Sequence, residues 1–232
     1  MPIKRSVWLL LIVVALISST NVRAHADTSE CSGSHGPSTY QAQPGDVANK
    51  THLSLERAFD GRGHFEVNLC AGELRVVRAP ASGKLELEVT LESSGSQPVS
   101  SYVHAVDVDS DKAVIDLRTP KSVHAEVTLR VPSSDDLHSE INVGAGKVVL
   151  HGDGIAGDRE LNLGYGNATI YLAGDHNYSA LEANVGMGSF HDHRSGGGSS
   201  HFVISKDMEG EGKGRLEINV GAGSIDLEPA ED

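Results

Sequence analysis

An asparagine, a branched apolar residue and two glycines flanking one variable residue recur four times along this 232-residue chain. The copies are Asn142-Val143-Gly144-Ala145-Gly146, Asn162-Leu163-Gly164-Tyr165-Gly166, Asn184-Val185-Gly186-Met187-Gly188 and Asn219-Val220-Gly221-Ala222-Gly223. A degenerate copy, Asn68-Leu69-Cys70-Ala71-Gly72, carries cysteine in place of the first glycine. From Asn142 onward the asparagines are 20, 22 and 35 residues apart, the scale of one rung in a repeat architecture. A unit that short cannot bury its own apolar face and must stack on its neighbours.

The residue types say how the units stack. A Cβ at either glycine would clash in a sharp bend or forbid positive φ, so the pair predicts a bend or a close approach of neighbouring backbones. The branched residues on both sides supply an inward-facing core. Asparagines in register can hydrogen-bond to one another along the stack as a ladder. On this reading Asn142, Gly144, Gly146, Asn162, Gly164, Gly166, Asn184, Gly186, Gly188, Asn219, Gly221 and Gly223 are structural residues. The expected fold is an all-β, single-domain β-solenoid of short strands joined by glycine-containing turns.

Alternation of apolar and polar residues predicts strands over 52–59, 65–77, 84–91, 103–108, 113–117 and 123–131. The repeat then predicts strands over 141–150, 161–172, 181–190 and 216–227. Within the last, longer interval the Gly/Ser-rich run Arg194 to Ser200 precedes one more strand over 201–206. Phe65, Phe190 and Phe202 fall in the core phase of their strands. The terminal Glu228-Pro229-Ala230-Glu231-Asp232 reads as a cap, since a proline and acids discourage strand addition at an open end.

Lys4 and Arg5 precede eleven apolar residues, Val7 to Ile17, and Ala24-His25-Ala26 forms an A-x-A site. Residues 1–26 therefore read as a cleaved secretory signal, the apolar run being shorter than the ~20 residues that span a bilayer. Residues 27–50, rich in Ser, Gly, Pro and Gln, read as a flexible polar leader, and 51–232 as the solenoid domain. The expected location is outside the cytoplasm: periplasm, cell surface or extracellular space, with no membrane insertion after cleavage. Without Lys4, Arg5 and Arg23, 16 basic residues face 32 acidic ones, which argues against nucleic acid or an anionic membrane as partner. Export to an oxidising compartment makes Cys31 and Cys70 candidates for a disulfide, with two unpaired thiols as the alternative.

The run Leu129-Arg130-Val131-Pro132, Leu137 and the segments INVGAGKVVLHGDG and LNLGYGNATIYL resemble the putative-adhesin (DUF4097) family of exported bacterial proteins. FEVNLCAGELRVVRA is similar to that family's first repeat, so the resemblance covers most of residues 55–232. It implies a solenoid related to right-handed β-helices, in an envelope or surface context, and brings no catalytic residues to transfer.

Other chemistry in the chain is sparse. His191 and His193 lie two apart, on one face of a strand, with His201 nearby, a spacing zinc can use. Asp107, Asp109 and Asp111 alternate as in calcium loops, but Lys112 stands where an EF-hand has glycine and no glutamate occupies the twelfth position. His191, His193, Asp107, Asp109 and Asp111 are the nearest candidates for a metal; the expectation is no metal and no cofactor, calcium being the one considered. A polysaccharide-acting β-helix enzyme would need a carboxylate pair in a cleft and aromatic platforms, and Trp8, in the signal, is the only tryptophan. The reading that remains is a non-catalytic, adhesin-like protein that contacts a cell-envelope component or a protein partner. The alternatives are that enzyme and a periplasmic scaffold or sensor in envelope-stress signalling.

Overall fold

The computed structural model describes residues 38–79, 83–92, 97–132, 134–151 and 157–230. The expected signal peptide, Cys31 and the first part of the expected leader lie outside the described residues. Twelve strands form one sheet: β1 Val47–Ala48, β2 His52–Ala58, β3 Gly63–Arg78, β4 Lys84–Leu91, β5 Val103–Val108, β6 Lys112–Leu117, β7 Ala125–Val131, β8 Leu137–His151, β9 Asp158–Leu172, β10 Ala180–Asp192, β11 Ser199–Glu209 and β12 Arg215–Pro229. Among the described residues there is no α-helix, only short 3-10 turns at Val99–Tyr102 and Asp175–Asn177.

The strands order as β1-β2-β4-β7-β3-β8-β9-β12-β10-β11, with the β5–β6 hairpin attached to β3. β3, β8, β9, β12 and β10 run parallel and in register, so that Asn68, Asn142, Asn162, Asn219 and Asn184 form one row. The flank β1-β2-β4-β7 is antiparallel.

Two expectations change here. The repeat does not join short strands; each copy sits inside one continuous strand of 13 to 16 residues. Geometry requires such a strand to bend. Straight, the 15 residues of β8 would reach about 46 Å, whereas the chain between His151 and Asp158 spans at most ~25 Å before β9 must start beside the beginning of β8. The apolar parity marks the bend: in β3 Phe65, Val67 and Leu69 are buried before the glycine, and Leu74 and Val76 after it. Every rung shifts phase at the same place, so pairing continues through it, as from Val185↔Val220 to Met187↔Ala222.

The second change is the order. β12, the last strand, lies between β9 and β10 and does not close the stack. Pro229 pairs with Leu172, so the expected C-terminal cap begins inside the sheet. The stack ends instead on β11, antiparallel to β10.

β3 divides the sheet. Its first arm pairs with β6 through residues 64–69 and its second with β7 through 73–78, while its other edge pairs with β8 along both arms. At the fork the buried Thr119 hydroxyl donates to the Ala71 carbonyl and accepts from the Ala71 amide at 3.3 Å. The core fills the inside of the bend with aligned columns such as Val67, Ile141, Leu161 and Ile218 on one arm and Val76, Leu150, Ile170 and Leu227 on the other. The described part of the expected leader is tied to the sheet: Thr39 and Tyr40 bond the His104 carbonyl, and Asp46 bonds Arg57 at 2.6 Å.

Candidate interaction surface

The second glycine of each repeat holds the bend. Gly146, Gly166, Gly223 and Gly188 have φ between +137° and +151°. An added Cβ at Gly166 would stand 1.7 Å from the Gly146 carbonyl oxygen, and one at Gly223 1.7 Å from that of Gly166. The first glycine is needed for space alone: a Cβ at Gly164 would lie 2.6 Å from the Gly144 oxygen. With both positions fixed, the residue between them is pushed to the outer corner. Register stacks these corner residues as Ala71, Ala145, Tyr165, Ala222 and Met187.

The corner row has two halves. Beside Ala71 and Ala145 the segment Lys121–His124 forms a second wall, giving a groove of about 620 Å³ that ends at Tyr165. Beyond it Tyr165 and Met187 stand 69% and 62% exposed, and on β11 Phe202 and Val203 are 74% and 69% exposed. Among the described residues, four of the five exposed large hydrophobics therefore lie on this one line, Val47 being the fifth. At ~4.8 Å per strand, Tyr165 to Phe202 covers about 15 Å.

Phe202 was expected in the core and is not there. β11 has no Gly-x-Gly of its own, yet it pairs with a strand that bends. Three steps along β10, Val185 to Gly188, face two along β11, Ile204 to Phe202. The difference is absorbed by Phe202 at φ +88°, the only non-glycine with positive φ among the described residues. A left-handed bulky residue costs on the order of 1–3 kcal/mol and is held only where its surroundings impose it. Phe65 and Phe190 are buried as expected.

The asparagine ladder forms. Each amide donates to the next oxygen along the stack: Asn142 to Asn68 at 3.1 Å, Asn162 to Asn142 at 3.0 Å, Asn219 to Asn162 at 3.1 Å and Asn184 to Asn219 at 3.1 Å. The second amide proton goes to a glutamate two residues earlier: Glu66, Glu140, Glu160, Glu182 and Glu217, at 2.7 to 3.1 Å. This parallel row of carboxylates is legible as E-x-N-x in all five repeats and was missed by starting the motif at asparagine. Arg215 pairs with Glu182 and Glu217, and His64 lies 3.6 Å from Glu66.

The metal candidates separate. Asp107, Asp109 and Asp111 are exposed around the β5–β6 turn, where the Asp109 amide bonds the Lys112 carbonyl and the Asp111 carbonyl bonds the His64 amide. Their carboxylates do not converge; among the described residues three ligand atoms come within 4.8 Å of one another at Glu92, His124 and Glu126, all exposed. His191 and His193 do face each other, with ring centres 5.9 Å apart, and His201 joins them 5.5 Å from His191.

Near Tyr178 a second hollow of about 410 Å³ holds several polar groups that satisfy one another. Arg194 binds Asp192 through two nitrogens at 2.9 and 2.8 Å and Tyr178 Oη at 3.1 Å. Burial alone would raise the Asp192 carboxyl, but the bonds from Arg194 outweigh it and hold the group below its ordinary range. Burial, then the bond to Asp175, pushes the Tyr178 phenol up. The cluster fastens the loop after β10 by pairing the Asp192 carboxylate with the Arg194 guanidinium, while the Tyr178 hydroxyl donates to Asp175 at 2.7 Å.

No family model matches this chain, and no curated protein matches it. Solved structures similar to it include a "putative cell adhesion protein" from Clostridium sporogenes, at 13% identity over 76% of this chain and 98% of that one, TM-score 0.48. A "putative adhesin" from Parabacteroides merdae aligns at 11% identity over 78% of this chain and 82% of the other, TM-score 0.26. Another from Bacteroides fragilis aligns at 9% identity over 77% and 98%, TM-score 0.24. Those names describe those proteins; the site in this chain stands on its own geometry. Among the described residues no helix is long and apolar enough to cross a membrane.

Proposed function

We propose that this chain is an exported, non-catalytic, adhesin-like β-solenoid that docks on a protein of the cell envelope through the corner row Tyr165, Ala222, Met187, Phe202 and Val203. The supporting observation is the collection of exposed apolar side chains on one line, ending at a phenylalanine held outward in a costly backbone conformation. A narrow ridge encloses no small molecule and suits a macromolecular surface. The net charge of −13 disfavours nucleic acid and anionic lipid and leaves protein as the partner class.

Co-sedimentation of the purified mature protein with the insoluble envelope of its producing cell tests this. Saturable retention should vanish in a Tyr165→Ser/Met187→Ser/Phe202→Ser variant with unchanged circular dichroism, and should vanish when the envelope is first stripped with proteinase. Equal retention of the variant would remove the ridge from the reading. The reading includes a Cys31–Cys70 disulfide, which would hold the N-terminal segment at the first rung. Thiol titration under denaturing conditions should then find no reactive thiol, and two would exclude the bridge.

A further inference from the structure

Beside the groove that ends at Tyr165, two neighbouring strands bring three ligand-type side chains to one point. β4 and β7 pair antiparallel, with Thr90 opposite Glu126 and Leu91 opposite Ala125. One step further the Glu92 amide donates to the His124 carbonyl at 3.2 Å, so the pairing continues past both strand ends and sets Glu92 against His124. Leu91 and Ala125 are buried, so alternation turns Glu92, His124 and Glu126 to the outer face. Their ligand atoms converge: His124 Nε2 is 3.7 Å from Glu92 Oε1, and one atom from each of the three lies within 4.8 Å of the others. Among the described residues no lysine or arginine pairs with Glu92 or Glu126, whereas Glu73, next to Glu126 on β3, is taken by Lys147 at 3.1 Å.

We propose that Glu92, His124 and Glu126 bind a zinc ion, with water completing a tetrahedral set. The imidazole selects zinc and its late-transition neighbours, whereas calcium asks for roughly six to eight oxygens, far more than two carboxylates supply. Donor atoms on a tetrahedral zinc stand about 3.4 Å apart, so closing a 4.8 Å triangle moves each atom by less than about 1 Å. The His124 and Glu92 side chains are 48% and 65% exposed and can make that adjustment by rotation, on a backbone already fixed by the strand register. The ion also supplies the counter-charge that the two clustered carboxylates lack. It would tie the end of β4 to the start of β7 and close the intervening chain, which carries β5 and β6. His124 lines the groove as well, so the ion would stand at the groove's margin. The inference is independent of the envelope partner, because the purified protein alone should bind.

Calorimetric titration of the metal-stripped mature protein with zinc chloride, and with calcium chloride as comparison, tests it. The expected result is one zinc per chain, taken up at micromolar concentration, with calcium unable to displace it. Glu92→Gln, His124→Gln and Glu126→Gln should each weaken zinc at least ~10-fold with circular dichroism unchanged, since even the loss of a group outside the ligand shell costs that much. His191→Gln/His193→Gln, which removes a stacked histidine pair elsewhere on the sheet, should bind as the parent does. Absence of zinc binding by the parent would overturn the proposal. So would zinc binding that survives Glu92→Gln/His124→Gln/Glu126→Gln, which would place the ion elsewhere, or a site that ignores His124→Gln and takes calcium equally well, which would reduce it to unspecific attraction by surface acids.

Discussion

The parallel rungs and the antiparallel flank are built on opposite economies of sequence. In β3, β8, β9, β12 and β10 the same residue type stands at the same height on nearly every strand, glutamate, then asparagine, then the glycine pair. In β1, β2, β4 and β7 nothing repeats except the alternation, and the side-chain bonds that hold the N-terminal segment to β2 come from one cluster, Tyr40, Asp46 and Arg57, beside its backbone bonds to His104. A row of identical residues distributes its support along the stack, whereas a cluster concentrates it in three side chains. The rows also leave a single position free to vary at the corner, where Ala71, Ala145, Tyr165, Ala222 and Met187 differ. Variation at the bend is therefore carried by this corner and by the row just after it, where Glu73, Lys147, Asn167, Ser224 and Ser189 align.

The largest effect should come from breaking the bend. Gly166→Ala puts a Cβ 1.7 Å from the Gly146 carbonyl oxygen at φ +137°, and should cost at least ~3 kcal/mol, about 10 °C in melting temperature, or prevent folding. Gly196→Ala has φ +83° but meets nothing within 4 Å, so it should cost only ~1 kcal/mol. Equal losses in thermal melts would mean that the stacked carbonyls, as distinct from φ, are not what demands glycine.

The ladder should show position dependence. Asn162 is nearly buried, accepts from Asn219 and donates to Asn142, so Asn162→Ala strands groups on both sides and should cost about 2–3 kcal/mol. Asn184 occupies the end of the row and has one ladder neighbour, so Asn184→Ala should cost ~1 kcal/mol. Denaturant midpoints for the two variants would tell a cooperative row from five independent side chains.

Acid should affect the flank through one group. The bonds from Arg57 hold the Asp46 carboxyl at about 2, down from 3.8, on a side chain 2% exposed. A depressed carboxylate contributes stability that is complete above pH ~4 and is lost as pH falls toward 2, on the order of 2 kcal/mol here. Amide exchange of residues 38–48 should accelerate over that window, and Asp46→Asn should abolish the pH dependence there. The same Asp46 bond, after burial, pushes the Tyr40 phenol up to about 12. Smallest of all should be Met187→Ser, within ~0.5 kcal/mol of the parent in stability yet deficient in envelope binding.

Much of this was legible in the residues. Period-two alternation placed β2, β4 and β7 to within two residues, because burial on one face leaves no other phase, whereas β1, two residues inside the expected polar leader, was not foreseen. The ladder and the glycine bends followed from residue chemistry at a fixed spacing. Strand order did not, because the in-register rows of β9, β10 and β12 are interchangeable by residue type and the chain's detour through β11 decides which is inner. That detour also carries Phe202, whose exposure comes from a mismatch with β10 that alternation within β11 cannot reveal. The group Glu92, His124 and Glu126 was half visible: His124 and Glu126 are neighbours by spacing, while Glu92 arrives only because β4 lies beside β7.

The central claim is the row in which Tyr165, Ala222 and Met187 are successive corners, and paired cysteines at these positions, exposed at Tyr165 and Met187 and half-buried at Ala222, test it directly. In-register neighbours one strand apart lie within disulfide reach, and positions two strands apart, about 9.6 Å, do not. Oxidation followed by peptide mapping should find a cross-link in Tyr165→Cys/Ala222→Cys and none in Tyr165→Cys/Met187→Cys. The reverse pattern would put β10 beside β9, dissolve the corner row as described and contradict the account.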